Sequence, residues 1–257
     1  MEQRQKTGSS PFLKKPFGGM DAMTLRLLAI LCMVLDHLWA TLVPGSDWMT
    51  FLGRLAFPIF AFQISEGFFH TADVRRYAKR LLLFAIISEI PFDLNQGGTV
   101  FYPFHQNVLF TLLLGLWAIS ALDKARKKRT PGAAVKGVAV AAVACLLGTV
   151  GMVDYGAKGV MTVIAFYLFR DFPMAWAVQL AAMVALNVVW FKGWCLPLTV
   201  AGYPFEFPVQ GFAVLALVPI WLYNGKKGPG GRWTQYAAYA FYPLHLLVLY
   251  LLFSLLR

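Results

Sequence analysis

The sequence is poor in charge, and poorest in acid. Only 14% of its 257 residues are charged, and 12 acidic residues face 23 basic ones. Soluble domains carry about a quarter charged residues, so a soluble Rossmann-type enzyme is excluded at the outset. Cysteine is scarce as well. Cys32, Cys145 and Cys195 are odd in number and far apart, which excludes both a disulfide framework and a CxxC metal site and leaves them as packing residues. No His or Cys pair has ligand spacing, so no metal is expected. The first twenty residues, MEQRQKTGSSPFLKKPFGGM, lack the apolar core and small-residue cleavage site of a signal peptide and read as a loose basic tail. No internal repeat or separate soluble domain follows, so residues 21–257 read as one transmembrane domain.

What is abundant is apolar surface. Hydrophobic residues make up 59% of the chain and aromatics 16%, and the mean hydropathy is +0.62. A bilayer core of roughly 30 Å takes about 20 apolar residues of helix. Nine spans meet or approach that length, near residues 23–43, 51–70, 78–96, 105–123, 133–152, 157–170, 174–191, 208–224 and 233–256. The expected fold is therefore an all-α polytopic bundle of about nine transmembrane helices, since unpaired backbone is too costly in hydrocarbon for anything but helices or closed barrels.

The net charge of +11 fits that topology. Short cytoplasmic loops concentrate Lys and Arg. Under the nine-span scheme nineteen of the 23 basic residues fall on the side of the N-terminus, against Arg54, Lys158, Lys192 and Arg257 on the other. This predicts a cytoplasmic N-terminus and an extracytoplasmic C-terminus. Charges dispersed over alternate loops do not make a nucleic-acid surface, so the expected partners are membrane lipids and no nucleic acid.

Ionisable residues inside spans are expensive and mark sites, or pair to lock helices. Many fall at one outward-leaning depth: Asp36 and His37 in the first span, Arg54 opening the second, Glu89 and Asp93 in the third, Asn107 and Thr111 opening the fourth, Asp154 ending the fifth and His245 in the last. Arg26 and His37 are eleven residues apart, which leaves them about 20° out of register and roughly 16 Å apart along one helix face. That spacing suits a long ligand with an anionic end in the cytosol. Arg75, Arg76, Lys79 and Arg80 cluster at the same inner surface, where they can anchor topology or hold phosphates.

The segments LRLLAILCMVLDHL, GRLAFPIFAFQISEGFFHT, RRYAKRLLLFAIISEIPFDL, NVLFTLLLG, DYGAKGV and AFYPLHLLVLYL resemble the TraX family over most of the chain. That family, named for acetylating the N-terminus of conjugative pilin, is similar in turn to the acyltransferase-3 type membrane acyltransferases. Their arginine, ten residues, then histidine arrangement matches Arg26 and His37. The resemblance implies an acetyl-CoA-dependent acyltransferase domain, with the acyl-CoA donor supplied from the cytosol as co-substrate. The acceptor, a protein N-terminus or a glycan, would lie on the extracytoplasmic side.

Combined, these readings make His37 the base or acyl carrier, Arg54 the oxyanion donor and Asp36 its catalytic neighbour. Arg26, Arg75, Arg76 and Arg80 would bind the donor. Asn107, Glu89, Asp93, Asp154 and His245 would bind the acceptor or orient the base, His245 also being a second candidate base. A secondary transporter or channel with an intramembrane polar site is the alternative, and a non-catalytic scaffold a third reading.

Overall fold

The computed structural model describes residues 19–190, 193–200 and 202–256. Most of the basic tail, Lys192 and Arg257 lie outside them. Of the tail assigned to residues 1–20, Gly19 and Met20 already belong to the folded part: the Met20 backbone pairs with Leu222 and Asn224 at 2.9 Å each.

Each of the nine predicted spans corresponds to helical structure, with two changes of detail. The helices are α1 (Ala22–Thr41), α2 (Trp48–Gly53), α3 (Ala56–His70), α4 (Val74–Gly97), α5 (Val108–Lys128), α6 (Pro131–Val150), α7 (Gly156–Leu168), α8 (Ala175–Val184), α9 (Leu217–Trp221) and α10 (Arg232–Leu256). The span expected over residues 51–70 is broken at Arg54 and Leu55 into α2 and α3. The last turns of the seventh span are π-helical over Ala185–Trp190, and α9 is preceded by a 3₁₀ segment, Val209–Ala216.

The all-α expectation is corrected at one place. Cys195–Val200 and Tyr203–Pro208 pair as antiparallel strands β1 and β2. Pro197, Pro204 and Pro208 exclude a helix there, while a two-stranded hairpin made entirely of edge strands tolerates them. Gly202 turns the chain at φ +84°.

Helix starts follow from the side chains at their ends. Asp21 caps α1 through the Thr24 N–H at 2.8 Å, and Asp73 caps α4 through the Arg76 N–H at 2.9 Å. Those backbone N–H groups hold both carboxyls below the usual carboxylate range. Asn107 caps α5 through the Leu109 N–H at 3.1 Å.

The centre of the bundle is α3, whose buried residues include Phe57, Ile59, Phe62, Glu66 and Phe68; it packs against α1, α5 and α7. The faces of α4 are inverted relative to a soluble helix. Leu82, Leu83, Ile86, Ile87 and Ile90 are exposed while Ser88 and Asp93 are buried. An apolar exterior around a polar interior is what a lipid solvent selects. Four helices are long and apolar enough to cross a membrane, Ala22–Thr41, Val108–Lys128, Pro131–Val150 and Trp233–Leu256. The chain is a membrane protein.

Candidate functional site

The break between α2 and α3 sets Arg54 against α1. Its Nη2 donates to both carboxylate oxygens of Asp36, and Thr50 on α2 donates to Asp36 Oδ1 at 2.7 Å. Asp36 is thereby committed to holding Arg54, and it makes no hydrogen bond to His37 among the described residues. Arg54 Nε is buried without a hydrogen-bond partner among the described residues. Tyr155, at the start of α7, lies within electrostatic reach of Arg54 and Asp36. Its ring stacks on Phe57 with centroids 3.9 Å apart, and its backbone sits at φ +63°, a left-handed conformation that a bulky residue adopts only when its surroundings hold it there.

His37 meets α10. Its Nδ1 lies 2.7 Å from His245 Nε2, and His245 Nδ1 lies 2.9 Å from the Phe241 carbonyl oxygen. Pro243, inside α10 two residues before His245, removes a backbone donor beside the histidine. His245 is only 8% exposed.

The remaining predicted residues form a second group at the ends of α4, α5 and α6. Asn107 is fully buried. Its amide donates to the Ala85 carbonyl at 2.8 Å and to Glu89 Oε2, which spends both hydrogens and corrects the expectation that it donates to substrate. It locks α4 to α5. Asp93 Oδ2 accepts the Tyr102 N–H at 2.9 Å. Glu89 Oε1 and Asp93 Oδ1 are buried without hydrogen-bond partners among the described residues. Thr111 donates to the Asp154 carbonyl oxygen. The Asp154 carboxylate faces His105 at 3.6 Å, and that hydrogen-bonded pairing raises the His105 imidazole above its ordinary value of 6.5 against the effect of burial. Tyr242 on α10 is in electrostatic reach of Asp154, Glu89 and Tyr155 and so joins this group to the first.

At the opposite end the predicted donor site divides. Arg26 and Arg80 converge on the buried Tyr77 and the part-buried Tyr239, both arginines being within electrostatic reach of the two rings. The Arg80 guanidinium carbon is 5.4 Å from the Tyr77 ring centroid, and its Nε is buried without a hydrogen-bond partner among the described residues. Arg75 and Arg76 do not join them. Both are exposed, and Arg76, 76% exposed at its side chain, faces Asp73 at 3.7 Å. Nearby, Glu66 is bound by Arg170 at 2.6 Å.

Sequence reasoning missed Thr50, Tyr77, His105, Tyr155 and Tyr239. The first three sit within a few residues of motifs that were singled out, but a hydroxyl or ring in an apolar run carries no signal of its own. A cavity of about 550 Å³ opens elsewhere, between α5 and α6 beside Lys124, Lys128 and Lys136. It shares no residue with either polar group.

Comparison with known proteins places these residues in one family. No solved structure matches the chain. A probable fimbrial assembly protein FimC, serogroup H1, of Dichelobacter nodosus is 30% identical over 253 residues, spanning 89% of this chain and 94% of its own length. The family model described as TraX protein matches residues 21–253, from the Asp21 cap to within the last helix. The match takes in Arg26, His37, Arg54, Asp154 and His245 together, and the chain belongs to the TraX family.

Proposed function

We propose that this protein is an integral membrane acyltransferase that moves an acetyl group from cytosolic acetyl-CoA to an amine or hydroxyl on the extracytoplasmic side. The orientation rests on the distribution of Lys and Arg, with the N-terminus inside the bacterial cytoplasmic membrane and the C-terminus outside. The observation that carries the reading is the convergence of His37, Arg54 and their partners at one level of the bundle. Two basic residues, Arg26 and Arg80, stand at the other. Purely structural charge pairs would not need an arginine at each end whose buried Nε–H has no hydrogen-bond partner among the described residues.

Arg26 and Arg80 take the nucleotide phosphates by charge-assisted hydrogen bonds, and the pantetheine arm runs along α1 toward His37. A neutral His37 imidazole removes the proton from the acceptor N–H or O–H as the acceptor attacks the thioester carbonyl carbon. The carbonyl oxygen gains the charge, which the Arg54 Nε–H stabilises in a water-poor site. As the tetrahedral species collapses, the C–S bond breaks and the departing thiolate takes the proton from the imidazolium. The products are the acetylated acceptor and free CoA. Asp36 and Thr50 act by fixing Arg54, which positions its remaining donor. The name of the fimbrial assembly relative favours a surface protein as acceptor over a glycan.

The test is thiol release from acetyl-CoA by the detergent-purified protein, with and without candidate amines and sugars. Acceptor-dependent release, abolished in His37→Ala while CoA still binds, is the expected result. Full activity in that variant, or solute flux in vesicles without any thiol release, would overturn the reading.

A further inference from the structure

We infer that His245 sets the tautomer of His37 and so makes Nε2, and not Nδ1, the nitrogen that takes the proton; the catalytic sense of this rests on the acyltransfer reading, but the tautomer itself does not. A backbone carbonyl oxygen can only accept a hydrogen bond. The Phe241 carbonyl oxygen, 2.9 Å from His245 Nδ1, has no proton to give, so Nδ1 carries the hydrogen and donates. In a neutral imidazole the other nitrogen is then an acceptor. His245 Nε2 is that acceptor, and the atom facing it at 2.7 Å is His37 Nδ1. Nδ1 of His37 therefore holds a hydrogen and donates it. Its Nε2 is left with the lone pair.

The ring geometry agrees. The two imidazole centroids are 5.0 Å apart and the planes differ by 15°. Face-to-face rings could not bring two nitrogens to 2.7 Å, whereas two ring radii and a bond of that length, laid end to end in nearly one plane, account for the centroid separation. This is the arrangement of a linear N–H···N hydrogen bond.

The consequence is a relay from carbonyl to His245 to His37 that needs no carboxylate. In many hydrolases an aspartate performs this task, holding the base in the correct tautomer and orientation. Here the acid beside His37 in sequence, Asp36, is committed to Arg54, and a second histidine takes the place of the carboxylate. His245 is a positioning residue. It accepts one hydrogen bond and touches neither donor nor acceptor. The relay has a directional requirement: a protonated His245 would offer Nε2–H and could no longer accept from His37.

The decisive experiment reads the tautomer directly, from the nitrogen resonances of the detergent-purified protein labelled with ¹⁵N at its 4 histidines. The His37 signals are assigned by their loss in His37→Ala. Wild-type protein should show His37 with a pyrrole-type Nδ1 and a pyridine-type Nε2, the form that free histidine disfavours. His245→Phe, which keeps an aromatic ring and removes the acceptor, should return His37 to the Nε2–H form. In the thiol-release assay His245→Phe should lower kcat by roughly 10² with the KM for acetyl-CoA unchanged. His245→Gln, whose amide oxygen can accept in the same place, should recover a large part of that loss. A wild-type Nε2–H form at His37 would overturn the inference, as would an Nδ1–H form that persists in His245→Phe. The wild-type spectrum alone decides the tautomer if His245→Phe does not fold. The expected tautomer without any thiol release would overturn the acyltransferase reading and leave the hydrogen-bond assignment standing.

Discussion

Gly53 of α2 lies so close to Asp36 of α1 that a Cβ on the glycine would fall 2.5 Å from the Asp36 Cβ and 2.6 Å from its Oδ1. The missing side chain is what allows the short helix to bring Thr50 and Arg54 onto one carboxylate. Gly53→Ala must push that carboxylate aside. Overpacking of this kind costs about 1–3 kcal/mol. The expected outcome is a lower melting temperature together with a loss of acetyl transfer of at least about tenfold, checked by thermal unfolding and thiol release. Full activity in Gly53→Ala would show that the Arg54 geometry does not matter to the chemistry.

The Asp36 and Arg54 pair makes a second prediction. The pair is part-buried, with side chains 22% and 19% exposed; removing one partner strands the other charge, at a cost below the ~3–5 kcal/mol of a fully buried pair, whereas removing both is milder. Asp36→Asn and Arg54→Gln should each destabilise the protein strongly, and the double variant by much less than their sum. A double-mutant cycle on melting in detergent measures this coupling, and additivity would argue against a pair. Activity should not recover in the double variant, because the oxyanion donor is gone.

At the Arg26 end of the bundle the structure separates two arginines that look equivalent in sequence. Arg80 packs over the buried Tyr77 ring with an Nε–H that has no hydrogen-bond partner among the described residues, while Arg76 is exposed beside Asp73. Loss of one charge-assisted phosphate contact costs about 1.5–3 kcal/mol. Arg80→Ala should therefore raise the KM for acetyl-CoA about ten- to hundredfold, and Arg76→Ala should change it less than about twofold. Equal effects in a donor titration would return both residues to a role in topology.

His105 supplies a pH dependence. Its hydrogen-bonded pairing with Asp154 raises the imidazole above 6.5. A raised histidine contributes stability that is fully present below its unfolded value and is lost as pH rises through its folded value. The stability difference between wild type and His105→Gln should be largest at and below pH 6.5 and should shrink above it. Melting measured across that range checks the slope. A difference that grows with pH would rule the pairing out.

The helices were legible because a bilayer imposes length and apolarity on any segment that crosses it, and both can be counted along a chain. The break at Arg54 had a signal in Pro58, which has no N–H to bond the Arg54 carbonyl one turn before it, but the contact it creates between Arg54 and Asp36 of α1 was not legible. Nor was the hairpin, since Pro197, Pro204 and Pro208 announce the absence of helix without announcing which strand pairs with which.

The chain alone determined that polar groups such as His37, Arg54, Glu89 and Asp154 share a depth, because rise per residue converts position into height. Which of them touch was decided only by the tertiary structure. Height is a one-dimensional coordinate, and hydrogen bonds depend on rotation and on neighbouring helices. Asp36 follows the residue before it in sequence like any other, yet it binds Arg54, and His37 turns to a histidine 208 residues away. Asn107, plausible as a ligand group by type and place, is spent on a helix junction, and Arg76 stands exposed beside the Asp73 cap, because the neighbours that the fold supplies, and not residue type, decide a side chain's partner.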